Sequence, residues 1–139
     1  TPHMALGVID KPKTNEGYHA DPQGRMRWIK IHGTRGNSGE QLWNKLFRKH
    51  ANLAFILSGD QSRVTALRRT DTGDHGNTVH TLLSDYMSKG SLRLMRFLPA
   101  ENRVDVLTWD TTNHELIETI PHKKEREHHQ FSLPYEMKP

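Results

Sequence analysis

The chain has 139 residues, of which 33% are hydrophobic, and its 20 basic and 16 acidic residues give a net charge of +4. This length allows one domain with a modest core, and the weak positive charge favours anionic partners only slightly. The absence of cysteine excludes disulfides and thiolate metal sites. No apolar run is long enough to span a bilayer, so we expect a soluble chain that does not enter a membrane.

Residues 1–36 contain many turn-forming residues and little periodicity, which is typical of either a functional or a flexible segment. Only residues 26–32 alternate well enough to predict a short strand. No signal peptide is visible, and the sequence leaves the compartment open. The chain starts with Thr1 rather than methionine, which suggests the interior of a longer protein; a processed end or an expression remnant is the alternative.

The clearest element is an amphipathic helix predicted at residues 39–51. Ser38 precedes Gln41 by three positions, which is the spacing of a capping box. The apolar residues that recur at helical spacing are Leu42, Trp43, Leu46 and Phe47. Residues 53–57 then predict a short strand that is buried on both faces. A helix followed directly by a buried strand indicates an α/β or α+β fold.

The remaining sequence up to Asp110 predicts mostly strands. Residues 63–70 indicate a second strand, whereas "TVHTLLSDYM" at residues 78–87 fits a helix or a strand by its local pattern. The strongest hairpin signal covers residues 91–110, with its turn at residues 99–102. Beyond Asp110 the pattern fades into a charged tail, residues 111–139.

No single local motif identifies a function. The ten histidines lack metal-site spacing, and the adjacent His128 and His129 favour solvated surface positions. The glycines before the helix resemble a weak phosphate cradle, but the P-loop pattern is absent. Nucleic-acid binding through Arg25, Arg27, Arg35 and residues 123–126 ranks last, since no recognition motif is present.

Taken in order, the segments resemble the C-terminal half of calcineurin-like metallophosphoesterases, especially bacterial members with a long tail. The matching pieces are "TPHMALG", "SGEQLWNKLFRKHANLAFILSGD", "GDHGNTVHTLLSDYM" and "GSLRLMRFLPAENRVDVLTW". They cover about residues 1–110, which we take as part of one domain followed by the tail. The resemblance implies part of a two-sheet α/β sandwich with metals at the carboxyl ends of its strands. It also implies that residues 78–87 form a strand.

The resemblance further implies two divalent metal ions (Mn, Fe, Zn or Mg) that activate water for attack on a phosphoester substrate. His3 matches the lone histidine ligand of the family, although Pro2 lies inside the usual T-H pair. Asp60 stands where the family has G-H-x-H, and it could coordinate an oxygen-preferring metal. The other implied neighbours of the site are Gln61, Ser62, His75, Asn77 and His80.

Two departures from the family pattern limit this expectation. Gly59-Asp60-Gln61-Ser62 replaces G-H-x-H, and a serine is a poor substitute for imidazole. The D-x-H, G-D-x-x-D and G-N-H motifs, which carry most ligands and the catalytic histidine, do not occur in these 139 residues. We therefore expect a portion of a phosphoesterase that is inactive alone, holds no complete metal site and requires a missing N-terminal half. The alternative is a non-catalytic binding or interaction module on a degenerate scaffold.

Overall fold

The computed structural model describes residues 5–6, 37–59, 65–86, 90–120 and 124–137, and its fold is mixed α+β. The elements are α1 (Gly39–Lys45), β1 (Phe55–Ser58), β2 (Thr65–Thr72), β3 (Thr78–Asp85), β4 (Ser91–Leu98), β5 (Arg103–Asp110), β6 (Glu115–Leu116) and β7 (Phe131–Pro134). The chain divides into two compact units, Thr1–Ser62 with Leu67–Ser84 and Arg63–Ala66 with Asp85–Pro139. No helix within the described residues has the length and apolarity to cross a membrane.

Helix α1 begins at the predicted capping box but ends earlier than predicted. The Gln41 N–H donates to Ser38 Oγ over 3.2 Å, and the Ser38 N–H donates back to Gln41 Oε1 over 3.1 Å. The helix ends at Lys45, and a 3₁₀ turn, Phe47–Lys49, follows in place of the predicted helix through residue 51. At Leu46 the backbone leaves helical geometry, with φ −131° and ψ −67°. Residues 50–54 then connect this turn to β1.

The first sheet has the order β1-β3-β2, and β1 runs parallel to β3. Trp43, Phe47 and Leu53 pack against a buried cluster of Ala5, Ile56 and Val79. The prediction that residues 53–57 form a strand buried on both faces is wrong in two respects. The strand is Phe55–Ser58, and Leu57 is 39% exposed whereas Ile56, on the opposite face of the strand, is buried.

Strand β3 is the central strand of the first sheet and settles the ambiguous segment at residues 78–87 as β-structure. Five consecutive residues, Val79 to Leu83, are buried. Burial on both faces removes the alternation of polar and apolar residues that marks a half-exposed strand. For that reason the apolar spacing of this segment fits a helix equally well, and its pairing with β1 decides the outcome.

The second sheet is built on the predicted hairpin. Strands β4 and β5 pair in antiparallel register from Ser91↔Asp110 to Leu98↔Arg103. The turn is a 3₁₀ segment, Pro99–Glu101, that ends at Asn102 in the left-handed region with φ 47°. On its other side, β5 pairs with β7 at its start and with β6 at its end. Residues 111–137 therefore contribute two strands to the sheet.

The two faces of this hairpin differ in exposure. Val104, Val106 and Thr108 point to one face and are fully buried. The other face carries a set of neighbouring apolar side chains, which we call the apolar patch: Leu92, Leu94, Leu107, Trp109 and Leu116. Leu92, Leu94 and Leu116 are 50%, 45% and 42% exposed, so the patch is largely open to solvent.

Candidate functional site

Strands β1 and β3 form the edge at which the sequence places its candidate site. Ser58, the last residue of β1, is the register partner of Leu83 near the end of β3. Parallel strands present their carboxyl ends at one edge of a sheet, where open α/β sheets bind ligands. Gly59 lies at this edge, since a Cβ added to it would be 3.4 Å from the Ser84 carbonyl oxygen.

Four of the predicted site residues lie outside the described residues. These are the two candidate metal ligands, His3 and Asp60, and their neighbours Gln61 and Ser62. The structure describes the other three, His75, Asn77 and His80. His75 and Asn77 lie together in the turn between β2 and β3, whereas His80 lies within β3.

The turn at residues 73–77 is fastened to the backbone that follows α1. Asn77 Nδ2 donates to the carbonyl oxygens of His50 and Leu53 over 3.1 and 2.8 Å. His75 Nε2 lies 3.2 Å from the Lys49 carbonyl oxygen. An ion pair of 2.6 Å joins Arg48 to Asp74, whose own N–H donates to the Arg48 carbonyl over 2.7 Å. Both predicted neighbours therefore use polar atoms to hold the turn.

His80 is buried in the first sheet, with 2% of its surface exposed. Its Nδ1 lies 3.0 Å from the hydroxyl oxygen of Thr70, and its ring centroid lies 5.5 Å from that of Phe55. His80 thus contributes to contacts between neighbouring strands.

Arg69 is next to Thr70 in β2, and it donates two hydrogen bonds to Asp71. These bonds raise the pKa of the Arg69 guanidinium, because the carboxylate stabilises the charged form.

The residues present can be tested against the two divalent metals that the resemblance implies. Metals of this kind need several carboxylates and imidazoles converging on one point. Among the described residues, no three histidine, aspartate or glutamate side chains come close enough together to hold an ion. The part of the chain that the structure describes therefore contains no complete ligand set for an ion, and the two candidate ligands lie outside it.

The second unit contains a buried polar cluster that the sequence did not reveal, which we call the Arg93 cluster. Arg93 Nη2 donates to the hydroxyl of Tyr86, the hydroxyl of Thr108 and the carbonyl of His128 over 2.9, 3.3 and 2.7 Å. Thr108 in turn donates to the His129 carbonyl over 3.1 Å. Because these bonds join β4 and β5 to the segment before β7, the cluster fastens that segment to the sheet.

The sequence interpretation of His128 and His129 as solvated is wrong. His129 is fully buried and His128 is half-buried. Gln130, the next residue, donates to the carbonyls of Thr108 and Ile117 over 3.1 and 2.6 Å. These bonds draw a segment of charged residues against β5, so its composition alone could not predict the burial.

Asp105 forms a charge cluster on β5. Its side chain is only 9% exposed, and it accepts hydrogen bonds from Arg96 over 2.7 Å, from Ser132 over 2.7 Å and from Arg103 over 3.1 Å. These bonds, that of Arg96 first, lower the pKa of Asp105 to about 2. The backbone N–H groups of Asn113 and Thr112 likewise lower the pKa of Asp110.

Asp105→Asn is expected to lower stability near neutral pH and to flatten its dependence on acid. The folded pKa is about 2, against about 3.9 in an unfolded chain. The stability that the ionised carboxylate contributes is therefore complete above about pH 4 and is lost as the pH falls towards 2. Urea unfolding of both proteins from pH 2 to 7 measures this difference.

The matched control is Glu101→Gln, which removes an exposed carboxylate that pairs with the same Arg103. Its stability difference from the unsubstituted protein should change little across that pH range. Asp110 keeps its lowered pKa in the Asp105→Asn variant, so part of the acid dependence should remain. Parallel curves for Asp105→Asn and the unsubstituted protein would contradict the assignment.

Comparisons of this chain with protein-family models, with curated proteins and with solved structures find no match. The resemblance to metallophosphoesterases therefore rests on the residues and on the order of their segments.

Proposed function

We propose that this chain is the C-terminal portion of a metallophosphoesterase-like hydrolase and is inactive by itself. In this proposal the chain supplies one part of an α/β sandwich and a few of the residues that contact the metals, His3 and Asp60. A missing N-terminal half supplies the remaining ligands and the catalytic histidine. The substrate class is a phosphoester, and the cofactors are divalent ions such as Mn, Fe, Zn or Mg.

The observation that carries the proposal is the parallel pairing of β1 with β3. The resemblance requires residues 78–87 to be a strand although their apolar spacing fits a helix, and Thr78–Asp85 is a strand. Strand β1 pairs with it and ends at Ser58, and Gly59 follows at the carboxyl edge of the sheet. Asp60 is the next residue in the sequence. That edge is where the family holds its metals, so the pairing supports Asp60 as a metal contact.

The proposal is tested on the longer protein that it requires. The gene should encode D-x-H, G-D-x-x-D and G-N-H motifs upstream of Thr1, and the longer protein with Mn²⁺ should hydrolyse p-nitrophenyl phosphate. His3→Ala and Asp60→Ala should each lower kcat/KM by at least about 100-fold. Removing a residue that only hydrogen-bonds to a metal ligand already lowers activity by about 10–100-fold, and removing a ligand itself should cost more. The 139-residue chain alone should be inactive.

Glu115→Gln is a control for these substitutions, because Glu115 is an exposed acid on β6. Its kcat/KM should equal that of the unsubstituted protein. Absence of the upstream motifs, or full activity in His3→Ala, would refute the proposed site. Full activity in Asp60→Ala alone would remove Asp60 from the mechanism and leave His3 in place.

The second candidate is a non-catalytic binding or interaction module that keeps the scaffold without the metals. The observation that favours it is the use of His75 and Asn77 to hold a turn and of His80 within the sheet. Metal analysis of the longer protein separates the two candidates. Two tightly held ions per chain would count against the binding module, and a metal-free protein without hydrolase activity would favour it.

A further inference from the structure

We draw no further inference here: the strongest candidate, the apolar patch of Leu92, Leu94, Leu107, Trp109 and Leu116 on the sheet of β4, β5 and β6, carries nothing because nothing in the structure shows what covers it.

Discussion

Gly73→Ala is expected to lower the free energy of unfolding by about 2–3 kcal/mol. Overpacking has a cost of this size where the neighbouring atoms cannot move to make room for the added methyl group. A Cβ at this position would overlap Asn77 Oδ1 and would lie 3.1 Å from the Arg48 carbonyl oxygen. Asn77 cannot move aside cheaply, because its Nδ2 is held by the carbonyls of His50 and Leu53. Urea unfolding of the variant and the unsubstituted protein measures the difference.

Gly76→Ala is the control in the same turn. Gly76 has φ +77° and open space where its Cβ would lie, so the substitution should cost only about 1 kcal/mol from the left-handed backbone. A cycle with Asn77→Ala adds a second test, because loss of the Asn77 amide removes the overlap. The cost of Gly73→Ala should then fall. Equal costs in both backgrounds would show that the contact with Asn77 is not the cause.

Arg93→Met is expected to destabilise the protein by about 3 kcal/mol, since hydrogen bonds to charged groups are worth about 1.5–3 kcal/mol each. The substitution keeps most of the aliphatic stem but removes the donor shared by Tyr86, Thr108 and His128. It also removes the guanidinium from its place 5.6 Å from the centre of the Phe131 ring. The free energy of unfolding in urea is the measurement.

Arg126→Met supplies the comparison for a surface arginine. Arg126 is 64% exposed and pairs with Glu118, which is 56% exposed, so its loss should cost less than about 1 kcal/mol.

Combining Arg93→Met with Tyr86→Phe should cost less than the sum of the two single changes, because both remove the same hydrogen bond. Strict additivity, or an Arg93→Met cost as small as that of Arg126→Met, would contradict the role given to Arg93.

Local signals predicted the elements whose stabilising contacts are close in sequence. Ser38 and Gln41 satisfy each other's backbone groups three positions apart, so the start of α1 is readable from the sequence. The hairpin of β4 and β5 is similar, because alternating strands flank one short turn. Strand β3 was not readable in this way, since its pairing with β1 lies more than twenty positions away in the chain.

The candidate site was less predictable than the fold. Asn77 and His75 make hydrogen bonds to backbone carbonyls 24 to 27 positions away, and such bonds leave no periodic pattern. The Arg93 cluster joins residues from Tyr86 to His129, and no motif or spacing in the sequence marks these polar residues as partners. His3 and Asp60 lie outside the described residues, so their place in a site stays a prediction.

The position of β7 has a consequence for synthesis on the ribosome. Strand β7 pairs along the first half of β5, and the buried side chain of Leu133 lies opposite Val104. Asp110, the last residue of the hairpin of β4 and β5, leaves the exit tunnel 21 residues (131 − 110) ahead of Phe131, the first residue of β7. During that interval the nascent hairpin exposes an open strand edge and an uncovered valine, and both are available to a chaperone at the tunnel mouth.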